Sequence, residues 1–181
     1  MLNDPLLSQI VFIDIQEKLV DVMIKNEIKE VIDASSILIQ AAKILEVPCL
    51  HTEQYPKGLG PTVKKLKSLL PNAPIEKKAF SCLDEPNFKS HLVKSRSQII
   101  LCGLETHICI LQTALALKAS GKDVFVVEDA TLSRSNLNHQ NAIHRLRSEG
   151  VVITNKDSVI FEWLRVAEGD HFKVVSQLIK S

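Results

Sequence analysis

The chain has 181 residues, 45% of them apolar and 24% charged, which suits one folded domain with a full core and gives no compositional sign of disorder. Its 22 basic and 21 acidic residues are mixed along the sequence and leave a net charge of +1, which argues against a nucleic-acid or membrane surface held by bulk electrostatics. Aromatic residues make up 4%, too few to suggest platforms for stacking bases.

Taken in chain order, short apolar runs alternate with longer patterns of helical period. Ile10-Val11-Phe12-Ile13 reads as a buried strand that ends at Asp14. Ile28, Val31, Ile32, Ser35, Ile39, Ala42 and Leu45 then share one face of a long helix ending near Glu46. Val47-Pro48-Cys49-Leu50-His51 reads as a second strand. The turn formers of Tyr55-Pro56-Lys57-Gly58-Leu59-Gly60-Pro61 mark a loop, with a short helix after it. Pro74-Ile75-Glu76-Lys77 is a weak third strand, and a helix around residues 86–94 leads to a fourth at Gln98–Cys102. A helical pattern starts at Thr106 and stops at Gly121, a favoured residue just past a helix end. Val124–Val127 and Val151–Ile153 supply two more strands, with a helix around 138–149 between them and two helical patterns near 158–166 and 172–179 beyond. Strands alternating with helices imply a three-layer α/β/α domain: a parallel sheet of six strands, covered on both faces and joined by right-handed crossovers. Nothing in the sequence marks a linker, so 1–181 reads as one domain.

The four cysteines, Cys49, Cys82, Cys102 and Cys109, have no C-x-x-C spacing and lie mostly in apolar runs. That pattern fits neither a zinc site nor a disulfide framework, and fits a reducing compartment. The first residues carry no basic stretch, and Gln9 and Asp14 interrupt their apolar run, which reads against a signal peptide. No uncharged apolar stretch reaches the ~18 residues of a membrane span. A cytoplasmic setting is the expectation.

Ligands of such sheets sit at the carboxyl ends of the strands, near the switch point between the first and fourth. Three reactive side chains fall there: Asp14 after the first strand, Lys77 at the end of the third and Cys109 after the fourth. Cys109 lies three residues into its helix, where free backbone N–H groups and the positive end of the dipole favour thiolate and can donate to an oxyanion. An ammonium beside the sulfur favours the same form, and a carboxylate can take the thiol proton and return it to a leaving amine. Each residue also has a plainer role: small core residue for Cys109, turn or cap for Asp14, solvated charge for Lys77 or Lys78. Their coincidence at one rim favours chemistry. Gly58-Leu59-Gly60 lacks the strand–turn–helix setting of a dinucleotide loop, no phosphate-binding loop is present, and the six histidines show no ligand spacing.

The segment Gly103-Leu104-Glu105-Thr106-His107-Ile108-Cys109-Ile110, with Asp14 after the first strand, resembles the isochorismatase-like cysteine hydrolases. So do Lys77-Lys78-Ala79-Phe80-Ser81 and Asp129-Ala130-Thr131-Leu132-Ser133-Arg134. His51-Thr52-Glu53-Gln54-Tyr55-Pro56 is most similar to the branch called isochorismatase domain-containing proteins. The resemblance implies a Rossmann-like sheet in the order 3-2-1-4-5-6. It implies Cys109 as nucleophile, Asp14 as proton shuttle and Lys77, three residues before Phe80, as the orienting cation. It also implies a cis peptide before Glu105, with the amides of Glu105 and Cys109 facing an oxyanion, and a homo-oligomer. Gln16, Tyr55 and Phe80, each near a strand's carboxyl end, would line the substrate pocket. Related nicotinamidases hold a metal through Asp-x-His after strand two, and Gln54 and Pro56 stand there instead. The reading therefore expects no metal and no cofactor, and a small amide- or ester-like substrate attacked by Cys109 to give a thioester. Two alternatives stand beside it: a non-catalytic binding or scaffold protein that keeps the pocket, and a thiol redox sensor in which Cys102 or Cys82 resolves oxidised Cys109.

Overall fold

The computed structural model of the protein describes residues 1–180. Six parallel strands form one sheet in the order β3-β2-β1-β4-β5-β6. In sequence they are β1 (Ser8–Ile13), β2 (Cys49–Gln54), β3 (Ile75–Lys77), β4 (Gln98–Leu104), β5 (Asp123–Leu132) and β6 (Val152–Thr154). The longer helices are α2 (Lys25–Ile44), α6 (Leu111–Ala119), α7 (Asn136–Ser148), α8 (Lys156–Leu164) and α9 (Gly169–Lys180), and shorter ones are α1 (Glu17–Asp21), α3 (Pro56–Leu59), α4 (Lys64–Lys67) and α5 (Pro86–His91).

Every residue of β1 and of β4 is buried, as the continuous apolar runs require of strands covered on both faces. Their side chains alternate between two cores. Ile10 and Phe12 pack with Leu38 and Ile39 of α2, Ile160 and Trp163 of α8 and Val175 of α9. Val11 and Ile13 pack on the opposite face with Phe88 of α5, Ala114 and Leu117 of α6 and Ile143 and Leu146 of α7. The expected layers and strand order are both present.

The differences lie at strand ends, and they matter for the site. β2 begins at Cys49 and runs to Gln54, three residues beyond the expected end at His51, because Glu53 and Gln54 pair with Glu76 and Lys77 of β3. β4 continues to Leu104, and β5 is ten residues long with a register shift opposite Leu101 and Gly103. The loop after β2 contains the short α3, started by Pro56, whose fixed φ suits the first helical position. Ahead of α6, Thr106–Ile110 form one wide turn of π geometry, where a regular α-helix was expected from Thr106. Such turns are frequent at functional sites.

Candidate active site

Register places the reactive side chains. Ile13 pairs with Thr52 on one side and Gly103 on the other, while Gln54 pairs with Lys77, so the ends of β1, β2, β3 and β4 reach the same rim. Asp14 takes φ 53°, a left-handed conformation that Asp tolerates better than most residues. Gly103 has φ 121°, and a Cβ there would lie 2.0 Å from the Ile13 carbonyl oxygen. Only glycine lets β4 come this close to the backbone that aims Asp14.

Asp14, Lys77 and Cys109 are brought together. Lys77 Nζ lies 2.7 Å from Asp14 Oδ2 and 3.6 Å from Cys109 Sγ. The three residues are 0%, 3% and 6% exposed, so this is a buried ion pair beside a buried thiol. Two charges taken out of water need further partners to be tolerated. The Thr52 hydroxyl donates to Asp14 Oδ1 at 2.7 Å, and Gln54 Oε1 accepts from Lys77 Nζ at 2.6 Å. The carbonyls of Ala79 and Phe80 also face Nζ, at 3.2 and 3.4 Å.

Burial works against the thiolate that the start of the helix favours. Burial pushes the Cys109 thiol up to about 12, the Asp14 carboxylate and its hydrogen bond push the same way, and the Lys77 ammonium only partly opposes them. Burial is the larger cause, and Asp14, paired with Lys77 at 2.7 Å, cancels part of what the ammonium would otherwise do for the sulfur. Cys109 therefore rests as a thiol next to a carboxylate able to accept its proton. Burial is the largest influence on Lys77 and lowers its pKa, but the Asp14 carboxylate, the Cys109 and Cys82 thiols and the Asp14 hydrogen bond together carry it above 10.5. Cys82 is also buried, its thiol pushed up to about 12 by burial and then modulated by Lys77 and Asp14. Cys102 lies in the other core, with Cys49, away from this cluster.

The peptide between Leu104 and Glu105 is cis, as the resemblance implies. The buried Glu105 carboxylate is held by Arg134, whose backbone N–H donates at 2.9 Å and whose guanidinium donates at 3.2 and 2.8 Å. Thr106 Oγ1 lies 2.9 Å from His139 Nδ1, and Ser133 Oγ lies 2.9 Å from His107 Nδ1.

Of the three side chains assigned to a pocket, Gln16 is fully buried with its amide engaged: Nε2 donates to the carbonyls of Gln54 and Gly60, and Oε1 accepts from Gln54 N–H. It ties the β2 end to the loop after it. Tyr55, at φ 38°, and Phe80 are about half exposed beside the ends of β2 and β3. Thr52, Gln54, Ser133 and His139 were given no catalytic or binding role from the sequence, Gln54 being noted only as standing where related nicotinamidases hold a metal. The first two stand at alternate positions at the end of β2 and would have followed from the strand-end rule had that strand been extended to its true limit. Among the described residues no group of three or more His, Cys, Asp or Glu side chains is placed to hold a metal ion.

A six-stranded parallel sheet with helices on both faces and a cysteine, an acid and an amine gathered at its carboxyl rim defines an isochorismatase-like α/β hydrolase architecture. The family model "Isochorismatase domain" matches residues 8–158, and the chain belongs to that family. Isochorismatase domain-containing protein 2 of Xenopus laevis is 40% identical, across 83% of this chain and 73% of its own. The secreted isochorismatase effector Isc1 of Phytophthora sojae is 39% identical, across 85% and 76%. Among solved structures, MAR1 ribonuclease from Caenorhabditis elegans superposes with TM-score 0.92 at 37% identity, covering 100% of this chain and 93% of that one. YcaC from Pseudomonas aeruginosa, solved with hexane-2,5-diol and covalent acrylamide, gives TM-score 0.84 at 25% identity, with coverage of 98% and 95%. No helix among the described residues is long and apolar enough to cross a membrane.

Proposed function

We propose that the protein is a cysteine hydrolase of small amide- or ester-like substrates and works through a thioester on Cys109. The observation that carries this reading is the buried contact chain from Asp14 Oδ2 to Lys77 Nζ to Cys109 Sγ, at 2.7 and 3.6 Å. With the sulfur resting as a thiol, attack and proton loss belong to one step: the S–C bond forms as the thiol proton passes to Asp14. Lys77 holds Asp14 in place and stabilises negative charge on sulfur and carboxylate. The backbone amides of Glu105 and Cys109 receive the oxyanion. Collapse breaks the C–N or C–O bond, and the leaving amine or alcohol takes the proton from Asp14. Water then attacks the thioester, with Asp14 again as base, and releases a carboxylic acid and the Cys109 thiol. Covalent acrylamide on the related YcaC is in keeping with a nucleophile that attacks small electrophiles.

RNA is the second substrate class, because the Caenorhabditis elegans neighbour is named a ribonuclease. Intact-mass analysis after incubation with a panel of small amides, esters and RNA oligonucleotides tests both. An acyl mass gain mapped to Cys109, and loss of turnover in Cys109→Ala with the fold retained, is the expected result. RNA cleavage that survives Cys109→Ala overturns the hydrolase reading in favour of RNA. No adduct and no turnover with any member overturns it in favour of a binding protein.

A further inference from the structure

We infer that Arg134 is a positioning residue that fixes the oxyanion-binding backbone through Glu105. The inference rests on the reading of the Glu105 and Cys109 amides as oxyanion donors. Glu105 is 4% exposed, and a carboxylate that far from water needs strong donors close by. It finds three, and all of them belong to one residue. The Arg134 N–H and Nε donate to Oε2, and a terminal guanidinium nitrogen donates to Oε1.

Arg134 lies two residues past the end of β5, so the Glu105 side chain is clamped close to the end of a neighbouring strand by a planar fork. Two further ties lock the next two residues of the turn: Thr106 to His139 of α7, and His107 to Ser133, whose hydroxyl also accepts from the His107 N–H at 3.3 Å. The three residues leading into Ile108 and Cys109 thus each have a side chain fastened to α7 or to the chain just after β5. Of these ties, the one at Glu105 acts on the residue whose own amide faces the oxyanion. Without the guanidinium the buried carboxylate keeps only the backbone N–H of residue 134, and would move toward water and carry the Glu105 amide with it. The Arg134 side chain itself is 57% exposed, so its loss removes no core packing.

Two electrophiles of similar size separate this role from a general structural one. Acrylamide adds the Cys109 thiol across its C=C bond: the S–C bond forms at the β-carbon, negative charge develops on the amide oxygen, and the thiol proton ends on the α-carbon. Iodoacetamide carries the same amide, but its S–C bond forms as iodide leaves, so charge develops on iodine. The ratio of the two rate constants at Cys109, by peptide mass mapping and relative to glutathione at one pH, reports the oxyanion site. Complete removal of one such donor costs ~10²–10³-fold in a serine protease, and a misplaced donor is expected to lose about 10-fold.

The wild-type ratio should exceed that of glutathione. Arg134→Ala should cut the acrylamide rate about 10-fold with the iodoacetamide rate held within about 2-fold, and Arg134→Lys, which keeps the charge but not the planar fork, should recover part of the loss. If Arg134→Ala does not fold, Glu105→Gln supplies the same comparison, since it removes the charge that the fork clamps. A wild-type ratio equal to that of glutathione would remove the oxyanion reading itself. A raised wild-type ratio left unchanged by Arg134→Ala or by Glu105→Gln would overturn the role of Arg134 alone.

Discussion

The amide oxygen of Gln54 lies 2.6 Å from the ammonium of Lys77 and shares that ammonium with the Asp14 carboxylate. The position is the one at which metal-holding relatives are expected to place an acid, and here a neutral acceptor completes the surroundings of a buried cation. Gln54 is itself braced, since its Nε2 donates to the Lys78 carbonyl at 2.7 Å and its N–H to Gln16. Gln54→Leu leaves the ammonium with one acceptor fewer in a dry setting. The expected loss is about 1–2 kcal/mol of stability by urea denaturation, together with lower turnover. Gln54→Glu should act differently. A second carboxylate near Nζ divides the lysine between two acids and makes the thiol still less acidic. Stability matching the wild type in Gln54→Leu would show that the contact contributes nothing.

The resting thiol can be tested through its pH profile. Because burial and Asp14 both raise the Cys109 pKa, alkylation of Cys109 by iodoacetamide should keep rising with pH past 9.0, the ordinary value, with no plateau for as long as the protein stays folded. Asp14→Asn removes the carboxylate and leaves the Lys77 ammonium to act on the sulfur alone, so the profile should shift to lower pH. The same variant should abolish turnover, because no group remains to carry the proton. It should also lose roughly 3–5 kcal/mol of stability through the unpaired buried cation. A plateau near pH 7 in the wild type would mean that the sulfur is held as thiolate.

Much of this site could be read from the sequence, for identifiable reasons. Ile10–Ile13 and Gln98–Cys102 are apolar enough to be central parallel strands, and the rule that ligands lie at carboxyl ends then leads to Asp14, Lys77 and the turn before Cys109. The partners of these groups were hidden. Thr52 and Gln54 lie in a polar stretch that gives no hydrophobic strand signal, and they join β2 through pairing, Thr52 with Ile13 of β1 and Ile75 of β3, Gln54 with Lys77 of β3. Arg134 meets Glu105 across 29 residues of chain, a separation at which no local pattern exists. The burial that opposes ionisation of Cys109 was hidden for a related reason. Helix position is local, while burial and the closeness of Asp14 to Lys77 are properties of the assembled fold.

Alkaline stability follows from the same buried thiols. Cys49, Cys82 and Cys109 are each pushed by burial from 9.0 to about 12, and Cys102 lies well above 9.0. Above pH 9 the unfolded chain releases these protons while the folded chain retains them, so νU − νN is negative and stability falls as pH rises. Lys77, raised in the fold, contributes in the same direction above 10.5. Each such proton is worth about 1.4 kcal/mol per pH unit, so a domain of ordinary stability should unfold cooperatively at roughly pH 10.5–12. Urea midpoints measured between pH 8 and pH 11 should be level at first and then fall. A flat profile through pH 11 would count against the protonated thiols.

Gly103 makes the link between fold and chemistry directly testable. Its φ of 121° is closed to ordinary side chains, and an added Cβ would meet Ile13 backbone atoms at 2.0, 2.7 and 2.8 Å. Backbone cannot swing aside as the end of a side chain can, so Gly103→Ala must push β1 and β4 apart at Ile13, one residue before Asp14. Strain and overpacking together should cost about 3 kcal/mol or more. The displaced Asp14 should also lose its close approach to Lys77 and Cys109, so any folded fraction should turn over substrate at least about 10-fold more slowly, the scale of a small misplacement of a catalytic group. Gly121→Ala is the control: its φ of 85° is also left-handed, but a Cβ there meets nothing within 4 Å. It should show only the backbone cost of about 1 kcal/mol with activity unchanged. Equal activity and stability in the two variants would separate the β1–β4 approach from the placement of Asp14.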